Sequence, residues 1–127
     1  MPATASKLTA KPAIKILYGE NDEKILASHA ADMKNAGHHV TTALNRAGVQ
    51  DALRRDAFDL VILGSTLSKD DRHHLPYMVK KAHEGTKVLV MHAGTHHHEV
   101  DAAVDSGMSM MLVLEKIAAL LQPVPAH

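Results

Sequence analysis

Apolar residues along the chain fall into two alternating patterns. Short runs apolar on both faces occur at 13–19 (AIKILYG), within DLVILG, at 86–94 (TKVLVMHAG) and at 108–114 (MSMMLVL). Strands buried on both sides of a parallel sheet look like this. A weaker alternation at 38–44 (HHVTTAL) predicts a short strand nearer an edge. Between the runs, apolar positions recur at helical spacing. Asn21 or Asp22 caps a helix carrying Ile25, Leu26, His29, Ala30 and Met33, and Gly37 ends it. RAGVQDALRRDA turns Val49, Ala52 and Leu53 inward. KDDRHHLPYMVKKAHEG is a third helix, with Pro76 expected to break or kink it and Gly85 to close it. HHHEVDAAVDSG predicts a fourth, stopped at Gly107, and EKIAALL a fifth.

Five strands alternating with five helices predict right-handed βαβ units. The fold class is α/β: a three-layer, doubly wound, five-stranded parallel sheet of order 2-1-3-4-5, flavodoxin-like. The expected organisation is a disordered segment at 1–12, a single domain at 13–122 and a flexible tail at 123–127. Such a sheet places its site at the carboxyl ends of the first, third and fourth strands. The loops there supply Glu20, Asn21 and Asp22, then Gly64, Ser65 and Thr66, then His92.

Composition narrows the chemistry. Lys plus Arg balance Asp plus Glu at 14 each, so no net field favours nucleic acid or an anionic membrane. Tyr18, Phe58 and Tyr77 are the only aromatics, too few for a base-stacking surface. The absence of cysteine removes thiolate catalysis and cysteine-ligated metal sites, and suits a reducing, cytoplasmic setting. No run approaches a membrane span. No glycine-rich phosphate loop of either common kind occurs.

The chain resembles the receiver domains of bacterial two-component response regulators over residues 14–121. KILYGEND matches the first strand and acidic turn, AGHHV the glycine before the second strand, DLVILG the third strand and VLVMHA the fourth. AAVDSGMSMMLVL matches the run ending in the fifth. From Glu20 to Gly64, and from His92 to Leu114, the spacing fits without insertion. In the family an acidic pair holds Mg²⁺, an aspartate ending the third strand accepts a phosphoryl group, and a Ser or Thr and a Lys contact that group. Carried over, the acidic pair falls on Glu20 and Asn21, the phosphoacceptor on Gly64, the Ser/Thr on His92 and the Lys on Leu114, with Glu115 following. The switch aromatic falls on Met111.

The resemblance therefore implies a stand-alone degenerate receiver. It has no catalytic residue, no cofactor, and weak or absent Mg²⁺ binding, because an aspartyl phosphate needs a carboxylate nucleophile and a metal-bound donor. Asp22 is expected to cap its helix, and Ser65 and Thr66 to be loop hydrogen-bonders. The implied role is protein–protein contact with a histidine kinase or response regulator in a phosphorelay. The implied partner or homodimer face is the fourth helix, fifth strand and fifth helix: His97 to Asp105, Met110 to Val113 (with Met111 and Leu112), and Glu115 to Leu121.

Eleven histidines stand out, in the groups His38-His39, His73-His74 and His96-His97-His98. They raise a rival reading, a metal- or small-ligand-binding module in an emptied pocket around Glu20, Gly64 and His92. With His96 added, imidazole and carboxylate suit Zn²⁺ or Ni²⁺. Against it, consecutive side chains opening a helix diverge, and no HxxxH or HExxH is expected on a helix, since His92 and His96 straddle a loop containing Gly94. Paired histidines also repel on protonation, which would make them pH sensors.

Overall fold

A computed structural model describes residues 14–91, 101–103 and 110–121. Among these, five strands and four helices are present: β1 (Lys15–Glu20), α1 (Glu23–Asn35), β2 (His39–Leu44), α2 (Asn45–Arg55), β3 (Leu60–Leu63), α3 (Lys69–Ala82), β4 (Lys87–Val90), β5 (Ala102–Ala103) and α4 (Met110–Leu121). The strands form one parallel sheet of order β2-β1-β3-β4-β5.

The double-sided hydrophobicity of the strands has a direct structural cause. Leu17, Val61, Leu63, Val88 and Val90 point to one face, where Val49, Ala52 and Leu53 of α2 and Leu75 and Val79 of α3 cover them. Ile16, Tyr18, Leu60, Ile62, Leu89 and Met91 point to the other, beneath Leu26, Ala30 and Met33 of α1 and Val113 and Ile117 of α4. Two apolar layers thus sandwich the sheet, as βαβ crossovers require.

Local signals hold where their chemistry is specific. Asp22 caps α1, its Oδ1 accepting from the Lys24 and Ile25 amides at 2.9 and 3.0 Å. Gly37 takes φ +100° after the helix, a conformation open to a residue without Cβ. Pro76 neither breaks nor ends α3, which runs through it from Ser68 as N-cap to Ala82. The proline leaves the Arg72 carbonyl without its usual helical donor and is itself buried.

The carboxyl-terminal third departs from expectation. Residues 110–121 are helix, so the helix expected over EKIAALL is present, and the described part of the strand expected at 108–114 belongs to the same helix, α4. The fifth strand is Ala102–Ala103, inside the segment expected to be helical, paired with Leu89 and Val90. The rest of that expected helix, with His96, His97 and His98, lies outside the described residues. The reason is physical: a continuous apolar run has no periodicity that separates strand from helix, and Met and Leu are good helix formers. Three consequences follow. Leu114 does not end a strand, Met111 is not a strand residue, and Met110 to Val113 present no strand face. Leu114 instead packs half-buried against the core, while Leu112 and Glu115 are exposed.

The packing of α4 sets which of its positions carry stability. Ile117, fully buried, should cost about 2–5 kcal/mol on truncation to alanine. Leu112, 45% exposed, should cost well under about 1 kcal/mol. Urea unfolding of both variants checks this.

Candidate functional site

Glu20 closes β1 and, though a carboxylate, is fully buried. Its neighbour across the sheet is set by register: Gly19 stands beside Leu63, so the next rung brings Glu20 beside Gly64. The Gly64 amide donates to the Gly19 carbonyl at 2.8 Å, locking the two chain ends together. The carboxylate folds directly over Gly64. A Cβ built there would lie 1.8 Å from Glu20 Cδ and 2.0 Å from each carboxylate oxygen. The space a side chain at 64 would use is therefore filled by Glu20.

Three donors hold the carboxylate. The Thr66 amide and hydroxyl donate to Oε1 at 2.9 and 2.6 Å, and the Tyr18 hydroxyl donates to Oε2. No cation forms an ion pair with Glu20 among the described residues. Its burial is offset by hydrogen bonds from neutral groups instead, a recognised way of holding a buried carboxylate.

Thr66 is the hub of the loop. While its hydroxyl proton goes to Glu20, its oxygen accepts from the Asn21 and Asp22 amides at 2.8 and 3.0 Å. The β1–α1 and β3–α3 loops are thereby stitched through one side chain. Arg72, buried beneath, donates through Nη1 to the Ser65 carbonyl at 3.1 Å and to the Leu67 carbonyl, holding the backbone on either side of Thr66.

On the other side, the Tyr18 oxygen lies 3.0 Å from His29 Nδ1, and the two rings stack with centroids 6.2 Å apart. Tyr18 has one proton and gives it to Glu20, so Nδ1 of His29 must be the protonated nitrogen if that contact is a hydrogen bond. Burial, reinforced by the hydrogen bond and charge of Glu20, holds the Tyr18 hydroxyl far above the ordinary phenol range. Tyr18 is thus a permanent donor, not an acid or nucleophile.

Of the residues singled out by sequence, the structure brings together Glu20, Asn21, Asp22, Gly64 and Ser65, with Thr66 as the link. Asn21 and Asp22 take part through their amides, while the Asp22 carboxylate faces its own helix. Leu114 does not join them as a strand-end residue, since it sits on α4. His92 and His96 lie outside the described residues. The pocket expected to be emptied at Gly64 is occupied by Glu20. Among the described residues no group of three His, Asp or Glu side chains is placed to hold a metal ion. Tyr18 and His29 were not legible as site residues. One usable signal was Gly64 itself, a missing side chain one rung from a large one.

No protein-family model and no curated protein matches the chain significantly. Solved structures do. The chemotaxis response regulator CheY4 of Vibrio cholerae aligns at TM-score 0.75 and 15% identity, covering 87% of this chain and 100% of that one. The non-phosphorylated HemR receiver domain from Leptospira biflexa aligns at 0.74 and 20%, covering 92% and 99%. The response regulator TrrA from Thermotoga maritima, solved in complex with Mg²⁺-BeF, aligns at 0.72 and 19%, covering 84% and 98%.

Removing one donor from a buried carboxylate leaves an unsatisfied oxygen. Tyr18→Phe and Thr66→Val should each destabilise the protein by about 1–3 kcal/mol. Urea midpoints check this, and a midpoint unchanged in both variants would contradict the bonding described. The fold that carries this site is the fold of response-regulator receiver domains.

Proposed function

We propose that this chain is a degenerate receiver domain that takes no phosphoryl group by aspartyl chemistry and works by binding protein. The observation that carries the reading is the Glu20 carboxylate seated over Gly64. At the position where the resemblance puts a phosphoacceptor there is no nucleophile, and the volume is filled by a group already bonded to Tyr18 and Thr66.

The electrostatics agree with this reading. In the receivers that this chain resembles, clustered carboxylates and water surround Mg²⁺, a hard ion that keeps several waters and takes one or two carboxylates. Here both Glu20 oxygens accept hydrogen bonds from inside the protein, and Asn21 brings no charge. A metal would have to share this carboxylate with Thr66 and Tyr18. With no acceptor side chain and no competent metal ligand set, phosphoryl transfer lacks both its nucleophile and its electrophile clamp. Signalling through such a domain rests on which protein it contacts. On the receiver analogy that partner is a histidine kinase or another response regulator.

The test exposes the full chain to acetyl phosphate with Mg²⁺ and reads intact mass and amide spectra. The expected result is no added phosphoryl mass and no shift at Glu20, Gly64 or Thr66. A stoichiometric phosphoryl adduct on a carboxylate would overturn the proposal. Calorimetric titration of chelator-stripped protein with Zn²⁺, Ni²⁺ and Mg²⁺ is expected to be silent. Tight one-to-one binding lost in His92→Ala would favour the rival metal-binding reading.

A further inference from the structure

We infer that the exposed edge of β2 is a dimerisation surface, through which two copies of this chain pair antiparallel to make one continuous sheet. Strand β2 ends the sheet order and pairs with β1 without interruption from His39 to Leu44. Its sequence, HVTTAL, carries no lysine, proline or bulge, the features that normally protect an edge. Its last residue, Leu44, is a large apolar side chain left 40% exposed.

The hydrogen-bonding pattern fixes a register. The His39 amide donates to Ile14 on the β1 side at 2.9 Å. Alternation then turns His39, Thr41 and Ala43 towards β1, and points the amides and carbonyls of Val40 and Thr42 and the amide of Leu44 outward, the Leu44 carbonyl serving α2 as its N-cap. An antiparallel partner with its two-fold axis at Thr42 sets Thr42 against Thr42 of the second copy and Val40 against its Leu44. All these are hydrogen-bonding positions, and they exchange about four bonds, two between the Thr42 residues and one from each Leu44 amide to a Val40 carbonyl. The same register covers exposed Leu44 with the half-buried Val40 of the other copy, on one sheet face.

Charge on the helix above that face agrees with the same axis. Leu26, Ala30 and Met33 face the sheet, and His29 leans towards Tyr18 on β1. At 100° per residue the opposite flank of α1, overhanging β2, carries Glu23, Ala27, Ala31 and Lys34. Strands in a sheet lie about 4.8 Å apart, so the two α1 helices must approach to about 8–10 Å, which small Ala27 and Ala31 permit. Because the copies are antiparallel, Glu23 at the top of one helix meets Lys34 at the bottom of the other, twice. Neither residue forms an ion pair among the described residues. Lys24 lies farther round, towards solvent. On the opposite sheet face, Asp51 and Arg55 of α2 neutralise each other at 2.8 Å.

The experiment is sedimentation equilibrium of the full chain across concentration, on the natural protein, Thr42→Pro, Glu23→Lys and the swap Glu23→Lys with Lys34→Glu. Thr42 donates its amide outward, so proline there removes the pairing while an edge strand tolerates it. The expected result is a dimer weakened at least about tenfold by Thr42→Pro and by Glu23→Lys, and restored by the swap. Concentration-dependent exchange protection of the Thr42 and Leu44 amides, sparing Thr41 and Ala43, keeps the test independent of how any variant folds. A monomer at about 100 µM overturns the inference. So does a dimer indifferent to these changes, which would place the interface elsewhere.

Discussion

A single contact organises the carboxyl edge of this sheet: the Glu20 carboxylate lying over the bare backbone of Gly64. A fully buried carboxylate is costly unless hydrogen-bonded, and its three donors come from two elements. Tyr18 supplies one from β1, and Thr66 supplies two from the β3–α3 loop. Thr66 in turn gathers the amides that open α1, and Arg72 on α3 anchors the carbonyls flanking it. Loop geometry at this edge depends on that contact. A side chain at 64 would evict the carboxylate and with it the bonds that join the loops.

The fold of a response-regulator receiver therefore carries a site whose interior is closed and self-satisfied. Here Tyr18 is held as a permanent donor, Glu20 as an acceptor and Thr66 as both, so little chemistry is left over for a ligand. This is why binding at an outer surface, and not transfer at the strand ends, is the role argued for the chain.

Much of the fold was readable in the sequence because its signals are local or periodic. Asp22 caps α1, Val49, Ala52 and Leu53 face inward, and HHVTTAL lies at an edge, as patterning and cap chemistry predict. The run MSMMLVL was misread as strand because uninterrupted apolarity carries no period, whereas EKIAALL was read as the helix it is. Tertiary packing of Val113 and Ile117 on the sheet decided for helix. That error carried Leu114 and Met111 into site roles that a helix cannot give them. Glu20 and Gly64 were expected at one sheet edge and do meet there, but the seating of the carboxylate over the glycine was not legible. Whether a carboxylate turns outward to a ligand or inward over a glycine depends on side-chain torsions and on donors 46 residues away in sequence, such as Thr66. The partnership of Tyr18 with His29, 11 residues apart, is equally invisible before the helix is docked.

The most direct measurement is a double-mutant cycle between Gly64→Ala and Glu20→Ala, read as unfolding free energies in urea. Seating of the carboxylate over Gly64 predicts that Gly64→Ala is destabilising in the natural protein and close to neutral once Glu20 is truncated. The predicted coupling exceeds about 1 kcal/mol, beyond the additivity expected of independent sites. Equal effects of Gly64→Ala in both backgrounds would mean that the two residues do not share that space, and would contradict the account.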